Sequence, residues 1–366
     1  MSQAINRGGK QSIGLAVVGA GKIGRHRARL AAQHAGVAHL AIVDLEAKRA
    51  EQLATEVGAD RWSTDMLATV SSPDIDAIII STEERAHTEP LLIAMATGKP
   101  TLVEKPITLT LADADRVIAA ANDNGVDLRV GYSMRYAQRY AVVRDQVVRK
   151  QIGQIIGGQA RCYDTLAVGR AILQRSPTAT PVMDILTYLV DLIGWCMPTA
   201  RPVEVVARSN GSILRSEGHD VDDLTFAMVT YDDGAVFDLG ATYSFPPGYP
   251  INGMACRFEL VGTDGVVLVD EDHRDSVMFT EAGFDNAYVD QRLKLAYLGS
   301  RTSGEWANGM MFGRVADETR AWLDHLTVGG PCSITTATEA RTTLAITCAI
   351  DQAAASKTVV GIDSRG

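Results

Sequence analysis

The stretch Ile13–Gln33, IGLAVVGAGKIGRHRARLAAQ, decides the fold of this chain. It opens with an apolar run, continues through three glycines in the pattern G-x-G-x-x-G, and ends in an alanine-rich segment. This order predicts a strand, a tight turn and a helix, which together open a dinucleotide-binding (Rossmann) fold.

Each glycine of the turn has a distinct predicted role. Gly19 permits the tight turn, Gly21 lets a pyrophosphate approach the backbone, and Gly24 lets the helix pack closely on the strand. The amides at the helix N-terminus, at Lys22 and Ile23, are then available to receive phosphates. The sequence therefore predicts a dinucleotide site.

An acidic residue ends the second predicted strand, AHLAIVD, at Asp44. Its separation from Gly24 is the roughly 20 residues typical of this fold. A carboxylate here can accept hydrogen bonds from the ribose hydroxyls of NAD and would repel the 2′-phosphate of NADP. Leu45 and Glu46 follow, with no arginine placed to bind that phosphate. NAD is therefore favoured over NADP.

Strands and helices continue to alternate up to about residue 131, which predicts a doubly wound parallel sheet in an α/β domain over residues 13–131. Ligands of such sheets bind beyond the carboxyl ends of the strands. Ser81 and Thr82 follow one predicted strand, and the tripeptide Glu104-Lys105-Pro106 ends another. We expect these residues beside the dinucleotide.

The alternation stops after Tyr132, and strands then follow one another with hairpin signals at Asp233-Gly234 and Asp264-Gly265. This pattern predicts a C-terminal α+β domain over residues 132–366, with a large and mostly antiparallel open sheet. Residues 1–12 form an expected flexible leader.

Composition narrows the function classes. The 366 residues carry a net charge of −9, which argues against nucleic acid or an anionic membrane as partner. Five scattered cysteines without a C-x-x-C pair make a metal site or disulfide framework improbable. No membrane-spanning stretch or signal peptide is apparent, so we expect a cytoplasmic protein.

A later apolar run, PVMDILTYLVDLIGW (Pro181 to Trp195), contains Asp184, Tyr188 and Asp191. Positions four and seven apart lie on one face of an α-helix, so these three form one polar stripe. The stripe is either a solvated face of a surface helix or a row of proton-handling groups facing a cleft. The segment alone leaves both open.

The chain resembles the Gfo/Idh/MocA (glucose-fructose oxidoreductase, inositol dehydrogenase, rhizopine catabolism) family of NAD(P)-dependent dehydrogenases. The E-K-P tripeptide after a G-x-G-x-x-G turn is the most specific element of the resemblance. The segments that carry it are GAGKIGRHRA with His26, STEERAH, GKPTLVEKPIT, GYSMRY, the run around Asp184, YDDGAVFDLG and FELVGTDGVVLVD.

The resemblance implies roles for the polar residues. The E-K-P lysine of the family reaches the oxygen of the reacting carbon, and its Lys-Pro peptide is usually cis, which implies the same for Lys105 and Pro106. Family members carry Asp, then His, then Asp at the spacing of Asp184, Tyr188 and Asp191, so Tyr188 replaces the usual acid/base histidine. Either Tyr188 carries the proton, or it orients the substrate while Lys105 does so.

These considerations define the predicted site. Asp184 is expected to bind a substrate hydroxyl or Lys105, and Asp191 to be structural. The catalytic set is Lys105, Tyr188 and Asp184. The cofactor-binding set is Gly19, Gly21, Lys22, Ile23, Gly24, Asp44, Ser81, Thr82, His87, Glu104 and Lys105. The substrate-binding set is Arg135, Tyr163, Asp184 and Tyr188, in a pocket that also includes Tyr136.

The favoured function is an NAD-dependent dehydrogenase that oxidises a secondary alcohol of a sugar, cyclitol or related polyol. A second hypothesis is a dehydrogenase of a carboxylated ring diol or of a semialdehyde from aromatic catabolism. It is motivated by Arg161, Arg170 and Arg175, whose alternative is ordinary surface charge. A third is a non-catalytic regulator that senses a dinucleotide. The resemblance also implies a homodimer or homotetramer.

Overall fold

The computed structural model describes residues 12–247, 249, 254–271, 277–285, 292–297, 305–307 and 309–364. Nearly all of the expected leader therefore lies outside the described residues. The chain divides into two compact units. The first comprises residues 1–136 and 304–341, and the second comprises residues 137–303 and 342–366.

The first unit is built on a seven-stranded sheet in the order β17-β6-β5-β4-β1-β2-β3. Its six parallel strands are β1 (Ile13–Val18), β2 (Val37–Val43), β3 (Arg61–Ser63), β4 (Ala77–Ile80), β5 (Thr101–Glu104) and β6 (Leu128–Gly131). The helices between them are α1 (Lys22–Ala32), α2 (Ala47–Val57), α3 (Met66–Val70), α4 (Thr88–Met95) and α5 (Leu111–Asp123). The predicted doubly wound α/β domain is confirmed.

Local sequence explains these elements. β1 and β4 are buried along their whole length, which is why they read as continuous apolar runs. The side chain of Thr110 accepts a hydrogen bond from the Asp113 amide at the start of α5, as expected for an N-cap. Helix α2 ends at Gly58, whose φ of +67° only glycine adopts without strain.

The second unit contains a nine-stranded sheet in the order β14-β13-β12-β11-β7-β10-β9-β8-β18. Neighbouring strands are antiparallel except β10 and β7. Its strands are β7 (Ile155–Thr165), β8 (Pro202–Asn210), β9 (Leu224–Tyr231), β10 (Val236–Phe245), β11 (Ala255–Gly262), β12 (Gly265–Asp270), β13 (Val277–Asp285), β14 (Arg292–Tyr297) and β18 (Val360–Gly361). The predicted mostly antiparallel sheet and both hairpins are confirmed.

Helices accompany this sheet in the second unit. They are α6 (Gln138–Val148), α7 (Leu166–Arg175), α8 (Thr187–Cys196), α9 (Ser212–Ser216) and the greater part of α11 (Ala337–Ser356). The inward face of the sheet is apolar and buried, as Ala160 and Cys162 on β7 illustrate. The opposite face exposes apolar side chains, among them Phe226 and Met228 on β9 at 47% and 54% exposure.

The division of the chain differs from the predicted boundary, because residues 304–341 belong to the first unit. This segment holds β15 (Glu305–Ala307), β16 (Met310–Phe312), α10 (Arg314–Val328) and β17 (Thr335–Thr336). Trp322 of α10 is fully buried in the core around β1 and β2. β17 pairs with β6 in antiparallel register and covers the edge of the parallel sheet. The physical reason for the difference is that the first core needs this late segment to be complete.

One buried carboxyl group of the second unit, that of Asp351, should make the stability of the fold depend on pH. The Thr180 hydroxyl donates to Asp351 at 2.8 Å, and burial raises the Asp351 pKa to about 7. The folded chain holds the proton of the Asp351 carboxyl more tightly than the unfolded chain does. The protonated carboxyl therefore contributes stability at acid pH. That stability is lost as the pH rises towards about 7.

Asp351→Asn keeps an acceptor for Thr180 and cannot ionise. We therefore expect its Tm to exceed that of the wild type by about 2–5 °C above pH 8, and the difference to shrink towards pH 5. Thermal unfolding across this pH range checks the prediction, with the exposed Asp220→Asn as control. A Tm difference that does not depend on pH would contradict it.

Candidate functional site

The turn between β1 and α1 brings backbone segments into very close contact. Gly19 has a φ of +98°, and a Cβ there would lie 2.6 Å from the Ser81 carbonyl oxygen. A Cβ on Gly24 would lie 1.8 Å from the Gly19 carbonyl oxygen. Both positions therefore need glycine for the helix to reach the strand ends.

Gly21 is different, because it faces open space. It is exposed, and among the described residues nothing lies within 4 Å of where its Cβ would be. It also precedes α1 in extended conformation, and no described side chain caps the first amides of that helix. A pyrophosphate can approach the backbone here and meet the amides of Lys22 and Ile23.

Two polar groups border the glycine turn. The half-buried Asp44 accepts hydrogen bonds from the amides of Ala20 at 2.7 Å and Glu46 at 2.9 Å. Its carboxylate is thus held at the end of β2, beside the turn. Ser81 is buried at the end of β4, and its hydroxyl has no hydrogen-bond partner among the described residues. Both features fit a bound NAD, which supplies hydroxyl and phosphate groups.

His87 lies in the interior rather than at an open surface, with 1% exposure. Its Nδ1 is 2.8 Å from the Pro106 carbonyl oxygen, and its Nε2 is 3.2 Å from the Thr82 carbonyl oxygen. Burial lowers the His87 pKa, so the ring is neutral and donates to one carbonyl at a time. The predicted cofactor contact of His87 differs from this placement, in which the ring supports the two adjoining loops.

The E-K-P segment ends β5, and its Lys105–Pro106 peptide bond is cis. The cis bond implied by the resemblance is therefore confirmed. Lys105 is half-buried. The Glu104 carboxylate accepts from Arg27 Nε at 2.9 Å and pairs with Arg27 Nη2 at 2.7 Å. Glu104 is thus bound to Arg27, and its predicted contact with the cofactor stays a prediction.

Two residues of the predicted substrate pocket are held within the first unit. Arg135 is buried and pairs with Glu339 at 3.3 Å. The Tyr136 hydroxyl accepts a hydrogen bond from the Ser333 amide at 3.1 Å. The guanidinium of Arg135 is thus buried against Glu339 in this unit, and its predicted contact with substrate stays a prediction.

In the second unit, Asp184 lies in a π-helical turn, Val182–Leu186, and Tyr188 and Asp191 follow on α8. A continuous α-helix had been expected here. A π turn holds more residues than an α turn, so the argument from α-helical spacing applies only within α8. Asp191 is 1% exposed, and Asp184 and Tyr188 are half-buried. The stripe is therefore not a solvated surface face.

Asp184 has two polar neighbours that sequence reasoning missed. The Tyr243 hydroxyl donates to Asp184 Oδ2 at 2.8 Å, from a fully buried ring on β10. Asp164, buried at the end of β7, has a pKa raised to about 6 by burial and by the charge of Asp184. Strand alternation places Asp164 on the inward face with Cys162. This alternation is the sequence pattern from which Asp164 could have been predicted as a site residue.

Tyr163 lies on the opposite face of the sheet from Asp164. The Arg161 guanidinium stacks over the Tyr163 ring at 5.2 Å, and Tyr163 borders Gly240 on that face. Because neighbouring residues of a strand point to opposite faces, Tyr163 does not join Asp184. Its predicted role in binding substrate beside Asp184 is thus at odds with the structure.

The three arginines have different surroundings. Arg161 stacks on Tyr163. Arg170 on α7 makes a bidentate ion pair with Glu217, with N–O distances of 2.5 and 2.9 Å. Arg175 is exposed at the end of α7. Arg161 and Arg170 thus have partners within the chain, and recognition of a carboxylated substrate stays a hypothesis.

Both parts of the chain match one family. Residues 13–132 match the family described as "Oxidoreductase family, NAD-binding Rossmann fold". Residues 140–268 match the "GFO/IDH/MocA C-terminal domain".

Curated relatives extend the match. The inositol 2-dehydrogenase of Mycolicibacterium smegmatis is 33% identical over 257 residues, which cover 70% of this chain and 71% of that protein. The scyllo-inositol 2-dehydrogenase (NAD(+)) of Bacillus subtilis is 28% identical over 69% of this chain and 72% of that protein. The structure of scyllo-inositol dehydrogenase from Lactobacillus casei, with NAD(H) and scyllo-inositol bound, has a TM-score of 0.75. It is 17% identical and covers 96% of this chain and 99% of that one.

The chain belongs to the Gfo/Idh/MocA family of oxidoreductases. The predicted class, an NAD(P)-dependent oxidoreductase acting on CH–OH groups, is confirmed, and so is NAD as the cofactor. Within the part of the chain that the structure describes, no helix has the length and apolar character needed to cross a membrane.

The contrast between Gly21 and Gly24 makes a second prediction. Gly21→Ala adds a methyl group to open space, so the Tm should stay within about 2 °C while the Kd for NAD rises at least about tenfold. Gly24→Ala forces the methyl group into the Gly19 carbonyl, so it should destabilise the fold by about 1–3 kcal/mol or more.

Thermal unfolding and calorimetric titration with NAD separate the two effects. Gly194→Ala is a suitable control, because this helical glycine of the second unit also meets no described atom within 4 Å. Equal losses of Tm in Gly21→Ala and Gly24→Ala would refute the assignment of the two roles.

Proposed function

We propose that this protein is an NAD-dependent dehydrogenase that oxidises a secondary alcohol of a cyclitol, sugar or related polyol. The observation that carries the proposal is the order of strands β1, β4 and β5. Carboxyl ends of neighbouring parallel strands lie along one edge of the sheet. The glycine turn, Ser81 and Lys105 therefore share the edge at which a nicotinamide cofactor binds. The relatives named as inositol dehydrogenases support a cyclitol as substrate.

NAD, when bound, supplies the hydride acceptor. The chain itself must manage the proton of the substrate hydroxyl, and we assign this task to Lys105 and Tyr188. A half-buried ammonium stabilises developing negative charge on the hydroxyl oxygen. A phenol, with an ordinary pKa near 10, exchanges a proton more easily beside a cation. Either Tyr188 accepts the proton, or Tyr188 orients the hydroxyl while Lys105 accepts it.

Asp184 completes the proposed set as a binder of substrate hydroxyls. Its carboxylate already accepts a hydrogen bond from Tyr243, which fixes the orientation of the group. A carboxylate oriented in this way can accept from a hydroxyl of a polyol with charge-assisted strength. This chemistry suits a neutral ring with several hydroxyl groups.

We also propose that the protein is a homodimer or homotetramer that associates through the open sheet face of the second unit. The face exposes Val206, Phe226, Met228 and Leu268 at 41–54%. Apolar side chains concentrated on one sheet face are typical of an interface. Sedimentation or light scattering checks this, and a monomer at micromolar concentration would contradict it.

Substitutions at Lys105 and Tyr188 test the proposed chemistry. We expect Lys105→Met to lower kcat by about 10²–10⁴, the usual contribution of general acid–base groups, and Tyr188→Phe to do the same if Tyr188 accepts the proton. Formation of NADH from a panel of inositols and sugars is the measurement. Lys48→Met and Tyr249→Phe, which change exposed residues of the same types, serve as controls.

The outcomes separate the alternatives. If Tyr188 accepts the proton, Tyr188→Phe should remove the acidic limb of the pH–rate profile for alcohol oxidation, in which the rate rises as the base loses its proton. If Tyr188 only orients substrate, its loss should mainly raise KM. Full activity of Lys105→Met, or absence of turnover across the panel by the wild type, would overturn the proposed function.

A further inference from the structure

We propose that Arg27 and His87 are positioning residues that hold Lys105 from both sides, Arg27 through Glu104 and His87 through Pro106. The inference rests on the catalytic role proposed for Lys105. Neither residue is assigned to the chemistry itself. Each contacts a residue next to the lysine in sequence, and both lie in the first unit.

The Arg27 side is a buried ion-pair network. Arg27 is 0% exposed and projects from α1. Its guanidinium binds Glu104 at 2.7 Å, Glu318 at 2.5 Å and the Thr319 hydroxyl at 2.8 Å. Burial alone would lower the Arg27 pKa, but the two carboxylates raise it, so the cation is permanent.

The fold leaves room for this network. A Cβ on Gly131 of β6 would lie 2.9 Å from Arg27 Nη2 and 3.3 Å from Glu104 Oε2. The strand next to β5 therefore carries a glycine where a side chain would displace the ion pair. The network ties the end of β5 to both α1 and α10 through charge-assisted hydrogen bonds.

His87 contacts Pro106, the residue that follows the lysine. The 2.8 Å contact from Nδ1 to the Pro106 carbonyl oxygen is buried and shorter than the 3.2 Å contact to Thr82. His87 stands at the start of α4, a helix joined to β4. Pro106 is thereby tied to the loop that follows β4, just as Glu104 is tied to α1.

Two fixed neighbours restrict the backbone at Lys105 more than either does alone. The lysine side chain is long and flexible, and its contribution to a reaction depends on where its backbone holds it. Loosening either neighbour should therefore affect the reacting geometry more than the binding of NAD. A residue with a merely structural role would instead alter folding, NAD binding and turnover together.

Arg341 provides a matched control in the same unit. It is buried to a similar degree and pairs with Asp115 of α5 at 2.7 Å. Its ion pair with Asp115 does not include the E-K-P segment. Arg341→Gln thus removes a comparable buried cation and leaves the contacts of Arg27 with Glu104 and of His87 with Pro106 in place.

The test compares Arg27→Gln, Arg27→Lys, His87→Ala, His87→Asn and Arg341→Gln in the full chain. Three quantities are measured: kcat with the best polyol of the wild type, the Kd for NAD, and the rate of Lys105 modification by an amine-reactive reagent, followed by mass spectrometry. Arg27→Gln and His87→Ala should lower kcat at least about tenfold, while the Kd for NAD changes less than about threefold.

The conservative variants Arg27→Lys and His87→Asn retain a donor and should recover part of the loss. Lys105 modification should change at least about threefold in Arg27→Gln and His87→Ala and stay constant in Arg341→Gln. Unchanged kcat and unchanged Lys105 reactivity in folded variants would overturn the proposal. So would an equal loss of kcat in Arg341→Gln.

The modification assay keeps this proposal distinct from the proposed function. If the wild type oxidises no polyol, the proposed function fails, and the reactivity of Lys105 still reports whether Arg27 and His87 hold it. If Arg27→Gln does not fold, Arg27→Lys and Glu318→Gln weaken the same network and give the same readouts.

Discussion

The first unit depends on one steric constraint, the approach of α1 to the end of β1 at Gly24. With a hydrogen in place of a side chain, the helix meets the Gly19 carbonyl at a distance that no Cβ could tolerate. Gly19 in turn lies against the backbone of Ser81 at the end of β4. This packing sets the first amides of α1 beside the strand ends. A phosphate-binding surface therefore arises from backbone geometry alone.

A buried ion-pair network links this packed turn to the end of β5. Arg27, pointing inwards from α1, is paired with Glu104 on one side and Glu318 on the other. A buried cation without such partners would be strongly unfavourable, so the three groups depend on each other. As a consequence for function, this network joins α1, the helix at the predicted phosphate site, to the end of β5, which Lys105 follows.

Local sequence was enough to predict much of this. The glycine spacing, Asp44 and the E-K-P segment are contiguous signals whose physical meaning depends on few residues. The Arg27–Glu318 pair joins residues 291 positions apart, and no local pattern indicates it. The same holds for Trp322 and β17, which complete the first core from the far end of the chain.

The second unit was harder to predict for a different reason. Tyr163 was predicted to line the substrate pocket with Asp184, yet strand alternation places its neighbours Cys162 and Asp164 on the inward face instead. Asp184 lies in a π turn that α-helical spacing does not anticipate. Tyr243 reaches Asp184 from a strand 59 residues away. These contacts are products of tertiary packing, which periodicity does not encode.

In the proposed function, the protein moves a hydride from an alcohol carbon to NAD. The most direct measurement is to incubate the wild type with NAD and a ring polyol that carries deuterium on its carbons, and to weigh the reduced cofactor by mass spectrometry. We expect each NADH formed to carry one deuterium from the substrate. Reduced cofactor without deuterium, or no reduction with any deuterated polyol of the panel, would contradict it.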